Sequence, residues 1–221
     1  PMALFALAGN EGPPGPEGAS PFELNPSTGT LEYLTADQVI RFEPTAIGAP
    51  RVTIGAADNA STGTGATISG GGEPPNPNIA TGSWATVGGG IDNRATDSFG
   101  TIAGGNSNRA SGFSSTVGGG TANTASASFA TVPGGQRNCA GARNSWAGGS
   151  FAKVRLGTDS GALGSGCFDV PLSGDSEGDE GTFVWADDRL ENFVSTGPNQ
   201  FLVSAQGGMA LNTNTPRGEL T

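Results

Sequence analysis

The sequence predicts an all-β chain, a parallel β-roll or solenoid built from coils of fifteen residues. The first observation is a fixed spacing: Asn78, Asn93, Asn108, Asn123 and Asn138 recur at intervals of fifteen, and a short constant period means one small unit stacked on itself. The second is that whole columns move in step with the asparagines. Ala80, Ala95, Ala110, Ala125 and Ala140 form one column, Thr86, Thr101, Thr116 and Thr131 another, and Val87, Ile102, Val117 and Val132 the next. The third is composition: 39 of 221 residues are Gly and only 34% are hydrophobic, too few large apolar side chains for a conventional core. Such a composition also suits disorder, but a disordered linker does not hold Ala, Thr and Val in register over five copies.

Read in order, residues 1–20 form a collagen-like stub or a Pro-rich linker, because Gly9, Gly12, Gly15 and Gly18 stand every third residue. The opening Pro1–Ala8 is too short for a signal peptide and lacks a basic leader, so the expectation is a chain that starts inside a longer protein. Residues 21–54 carry N-terminal strands: Leu31–Leu34 and Val39–Phe42 are bounded by turn formers, and Arg51–Gly55 leads into the repeats. The β-roll repeats occupy 55–154. A degenerate first copy aligns Asn59 with Asn78 at a spacing of 19, so about four residues are expected to bulge near Glu73–Pro77. Asn138 stands ten residues before Gly148, against eleven between Asn93 and Gly104, and this slip predicts the end of the regular stack. Residues 155–181 read as an acidic excursion loop, and 182–221 as a C-terminal β segment with strand character at Thr182–Asp187 and two strands around Gly207-Gly208.

Within a coil, strands are expected over Asn78–Gly82 and Trp84–Gly88, with Gly89-Gly90 turning between coils. Alternation along the second strand would put Ala85 and Val87 inside, and Trp84, Thr86 and Gly88 outside. Asn is expected where the chain bends, in the left-handed region, its amide laddering with identical neighbours. Six coils at about 4.8 Å each would make a rod about 30 Å long. Trp84, Phe99 and Phe129 share the outer column, with Ser114 in the third copy. Aromatics on a thin coil call for cover, so these three residues are candidate contacts between chains of a homotrimer, an expectation the collagen-like triplets reinforce.

The run Gly-Gly-x-x-Asn-x-Ala-Ser-Gly-x-x-x-Thr-Val-x-Gly-Gly, at Gly104–Gly120, resembles the head repeats of trimeric autotransporter adhesins of the YadA type. The segments 138–141, 145–149, 181–187 and 195–203 look like bacterial secreted or tail-fibre-like proteins. The resemblance covers roughly residues 50–215. It implies a left-handed parallel roll, assembly as a homotrimer, and a place on the cell surface or outside the cell; in such proteins the roll often precedes a self-cleaving chaperone domain. The period of fifteen departs from the shorter one usual in those heads.

Composition excludes much chemistry. There is no histidine, which removes Ser-His-Asp and Cys-His nucleophile systems, His-ligated zinc and the histidine base of hexapeptide-repeat acyltransferases. The only lysine, Lys153, follows Ala152, so no Gly pair belongs to a phosphate-binding loop. A net charge of −10 without a basic cluster argues against nucleic acid and anionic membrane surfaces, and no apolar run is long enough to span a bilayer. Cys139 and Cys167, 28 residues apart, are expected to form a disulfide worth roughly 3 kcal/mol, with two free thiols as the alternative.

Asp175, Glu177 and Asp179 are weak candidates for a Ca²⁺ site, lacking the full loop pattern of a calcium-binding motif. Asp92, Asp97, Asp187, Asp188 and Glu191 are the carboxylates from which a glycan hydrolase would need a pair about 5–9 Å apart. The Thr column invites an ice-binding reading, weakened because the next outward position is Gly88, Ala103, Gly118 or Pro133. The expectation is therefore a non-enzymatic, extracellular structural or adhesive fibre segment without a cofactor. It would associate with itself as a trimer or filament and present a surface to a glycan or protein. The nearest alternative is a phage-type tail fibre, part of a virion, that binds a host glycan.

Overall fold

In the computed structural model, residues 22–158, 165–187 and 190–208 are described. The collagen-like stub, Asp188 and the second strand expected after Gly208 lie outside them. Every regular element except one 3-10 turn at Ser165–Cys167 is a strand.

Two sheets enclose the core. The valine sheet takes one two-residue strand per regular coil (Thr86–Val87, Thr101–Ile102, Thr116–Val117, Thr131–Val132), and the alanine sheet takes the other (Ile79–Ala80, Arg94–Ala95, Arg109–Ala110, Thr124–Ala125, Cys139–Ala140). Pairing is parallel, with Thr101 opposite Thr86 and Thr116, and Ala110 opposite Ala95 and Ala125. The β-solenoid therefore has the fifteen-residue register of the sequence built into every contact between coils. Its interior is a file of small side chains: Ala80, Ala95, Ala110 and Ala125 face Val87, Ile102, Val117 and Val132, all fully buried.

The asparagines tie the coils together. Asn108 donates its backbone N–H to Asn93 Oδ1 at 3.1 Å, and its own Oδ1 accepts from Asn123 N at 3.0 Å. Its Nδ2 donates to the Gly104 carbonyl in its own coil and to the Gly120 carbonyl in the next, both at 2.9 Å. The same pattern joins Asn59 to Asn78 across the irregular first step. These amides are buried, and the ladder satisfies them with backbone groups of their own and the neighbouring coils.

The left-handed corners are not where the five ladder asparagines, Asn78 to Asn138, sit. Two other columns occupy that region: Trp84, Phe99, Ser114, Phe129 and Asn144 at one corner, Asp92, Ser107, Ala122, Arg137 and Phe151 at the other, all with φ between 53° and 60°. Trp84 is thus a corner residue and not part of the strand that holds Thr86, which shortens the strand expected over Trp84–Gly88 to Thr86–Val87; Ala85 and Val87 are buried and Trp84 and Gly88 exposed, as expected. The conformation costs a non-Gly residue of order 1 kcal/mol. A backward ladder offsets it, since Phe99 N donates to Ser83 O at 2.8 Å and Ser114 N to Ser98 O at 2.9 Å, each in the preceding coil.

The stack also continues where the period breaks. Trp146–Ser150 pairs in parallel with Phe183–Ala186, which pairs with Phe201–Ser204. On the other side Ala152–Val154 pairs with Cys139–Ala140 and with Phe193–Val194. The acidic excursion is an insertion into one coil and not the end of the stack. At the other end the strands Glu23–Leu24, Leu31–Leu34 and Gln38–Glu43 form an antiparallel meander ending on Arg51–Ala56, from which the parallel stacking starts. The bulge at Glu73–Asn76 closes on itself by backbone bonds and leaves Thr67 in register with Thr86.

Candidate functional site

Three surface features stand out against the uniform coils. The first is an aromatic ladder on one corner. Trp84 and Phe99 stack at 5.2 Å between ring centroids, and Phe113 packs edge-on between Phe99 at 5.5 Å and Phe129 at 5.7 Å. All four rings are 40–46% exposed. The left-handed backbone throws Trp84, Phe99 and Phe129 outward at the corner. The third copy has Ser114 at that corner, and Phe113, one residue earlier, bridges the gap. The Arg143 guanidinium lies 5.9 Å from the centre of the Phe129 ring, a cation–π contact at the end of the ladder.

The second feature is the outward column of the valine sheet. Register puts Val52, Thr67, Thr86, Thr101, Thr116, Thr131, Trp146, Phe183 and Phe201 in one file. Trp146, Phe183 and Phe201 stack with centroids 4.2 and 4.7 Å apart. The threonine strip thus gives way to aromatic surface at one end. Sequence reasoning missed this second stack; its signal was Trp146, which stands fifteen residues after Thr131.

The third feature is the inserted loop, fastened onto the outer face of the alanine sheet. Cys139 and Cys167 form a disulfide. Gly166 N donates to Thr124 Oγ1 at 3.1 Å, and the buried Lys153 donates to the Gly166 carbonyl and lies 3.4 Å from Asp169 Oδ1. Thr124, Cys139 and Lys153 belong to one outward column of that sheet. Burial pushes the Lys153 ammonium below its ordinary value, an effect only partly offset by Asp169. Further along, Asp179 is buried and held by Arg155 through two bonds of 2.8 and 2.9 Å, and it also accepts from the Ser195 hydroxyl.

The candidate calcium ligands do not converge. Asp179 is taken up by Arg155 and Ser195, while Asp175 turns its Oδ1 to Ser173 Oγ and to the N–H groups of Glu177 and Gly178. Those bonds, the Ser173 hydroxyl first, hold the Asp175 carboxyl below its ordinary value. Among the described residues no group of three or more metal-ligating side chains gathers. Among the carboxylates weighed for glycan cleavage, Asp92 binds Arg94 and accepts from Ser107, Asp97 accepts from Ser98 N, Asp187 accepts from Gln206 N, and Glu191 is exposed. Asp92 and Asp97 are thus held by nearby partners, whereas Asp187 engages one oxygen and its Oδ1 is buried without a hydrogen-bond partner. Among the described residues no helix is long and apolar enough to cross a membrane.

Compared with known proteins, the chain matches no family model, no curated protein and no solved structure.

Proposed function

We propose that this chain is a non-enzymatic, extracellular rod segment of structural or adhesive type, three copies of which pack side by side through the corner column of Trp84, Phe99 and Phe129. The observation that carries the reading is that Trp84, Phe99 and Phe129, each 45–46% exposed, line one corner of a coil whose interior holds mostly Ala and Val. A contiguous aromatic strip of that kind marks a contact surface, and a thin coil gains the apolar burial it lacks when neighbours cover it. A disulfide between Cys139 and Cys167 suits a secreted or surface location, where thiols are oxidised. The resemblance of Gly104–Gly120 to YadA-type head repeats points the same way.

Light scattering on the purified chain tests the assembly. The expected mass is three times the 21.8 kDa of one chain. Trp84→Ala combined with Phe99→Ala and Phe129→Ala should yield monomers that keep their β-sheet circular dichroism. A wild-type chain that is monomeric at every concentration overturns the trimer. Imaging of the native assembly then separates surface spikes and long filaments from virion fibres.

A further inference from the structure

Beside the ladder lies an open groove of about 510 Å³, within the size range of small-ligand sites. Its floor comes from four successive coils, through Asp97, Ser111, Phe113, Ser126 and Arg143, and Glu177 and Glu180 of the inserted loop line it as well. Four coils span three rises of about 4.8 Å, roughly 14 Å.

Its chemistry is not what stacking requires. Ser126 is only 7% exposed, lines the groove, and its hydroxyl has no hydrogen-bond partner; the Ser111 hydroxyl is likewise buried and unpartnered. A buried hydroxyl without a partner costs of order 1–3 kcal/mol, which a ligand oxygen would offset once either serine turned its hydroxyl toward the groove. The loop backbone that carries the loop carboxylates is anchored. Glu177 and Glu180 flank Asp179, which is locked to Arg155, and Asp179 N donates to Arg155 O while Gly181 N donates to Arg143 O at 2.9 Å. Sites held this way lose little entropy on binding. The Phe113 ring, 40% exposed, adds an apolar platform.

We infer that this groove binds a short uncharged oligosaccharide, with room for roughly two or three sugar rings. A sugar has an apolar C–H face for Phe113 and a fringe of hydroxyls that both donate and accept. Glu177, Glu180 and Asp97 accept from such hydroxyls, Arg143 donates, and Ser126 and Ser111 do either. A purely apolar ligand would strip water from three carboxylates and a guanidinium without replacing it. An anionic glycan would meet three carboxylates against one cation. The inference goes beyond the trimer reading, and the two are told apart by residue: the trimer is assigned to Trp84, Phe99 and Phe129, the groove to Phe113 and its polar neighbours.

The test is an oligosaccharide array carrying neutral, amino-bearing and acidic sugars, probed with the full chain, followed by calorimetric titration of each hit. At least one neutral oligosaccharide should bind, with Kd about 10 μM to 1 mM. Phe113→Ala and the isosteric Glu180→Gln should each weaken it about tenfold. Ser126→Ala should weaken it severalfold without lowering Tm, whereas a serine with only a structural role would leave affinity unchanged. Trp84→Ala should leave affinity unchanged, so loss of trimers and loss of glycan binding are read separately. The inference is overturned by an array without a neutral hit, by binding confined to amino-bearing or acidic sugars, or by neutral binding that survives both Phe113→Ala and Glu180→Gln.

Discussion

The regular coils and the inserted loop are stabilised in opposite ways. From Asn78 to Asn138 every coil uses the same small set of contacts: an Ala/Val interior, an Asn ladder and two left-handed corners. Each of these contacts exists because the neighbouring coil repeats it. The loop over 165–181 has no repeat to lean on. It is held by one disulfide, one buried lysine and one buried ion pair. Distributed, identical contacts give a cooperative unit in which damage passes to nearest neighbours. A few strong and dissimilar contacts give a region that can loosen by itself.

The harshest way to break the comparison is Gly105→Ala. Gly105 has φ +91°, and a Cβ there would fall inside contact distance of the Gly120 carbonyl oxygen and crowd Asn108 Nδ2. We expect a loss of about 4 kcal/mol or more, seen as a collapse of Tm and of hydrogen-exchange protection across the coils on both sides. Asn108→Ala should come next, at about 3 kcal/mol. It removes the partners of the Gly104 carbonyl and of the Asn123 N–H and one of the two donors to the Gly120 carbonyl, which keeps the Asn106 N–H. Exchange should again rise in adjacent coils; a change confined to residues 104–120 would show the stack to be less cooperative than its geometry implies.

Replacing Cys139 and Cys167 together by Ser should cost about 2–3 kcal/mol. Its signature differs: exchange should rise over 165–181 while the coils from Asn78 to Asn123 stay protected. Equal loosening of the coils would erase the distinction between the two regions. The mildest effect is that of acid. Asp175 and Asp169 have folded values below the ordinary 3.8, Asp175 mainly through the Ser173 hydroxyl. At Asp169, burial works upward and is outweighed by the Asn192 hydrogen bond and the Lys153 charge. A depressed carboxyl stabilises the fold above its unfolded value and loses that contribution as pH falls through its folded one. Loop protection should therefore decline below about pH 4, with the coils from Asn78 to Asn123 unaffected, as exchange measured from pH 6 downward would show.

How legible all this was follows the same division. The register of Thr101 on Thr116 and the chain of asparagine contacts follow from spacing, because a constant period leaves identical residues nowhere to go but above one another. The corner seat of Trp84 did not follow, since nothing about a tryptophan advertises positive φ. The available signal was Gly65, which fills the same corner one coil earlier with φ +66°. The continuation through Phe183–Ala186 was hidden because an insertion separates it from Trp146 by 37 residues, and periodicity fails across such a gap. The groove was illegible for a related reason. Glu177 and Glu180 reach the neighbourhood of Phe113 only through the docking of a loop, a matter of tertiary contacts that no local pattern encodes.

The bulge at Glu73–Asn76 carries a practical meaning. Four extra residues sit at a corner while Thr67 and Thr86 keep their pairing, and a far longer excursion sits between Val154 and Phe183 with pairing intact on either side. Each corner is in effect a cloning site supplied by the architecture: foreign peptides grafted there would be held at fixed intervals along a stiff axis, and the host scaffold would not need redesign to carry them.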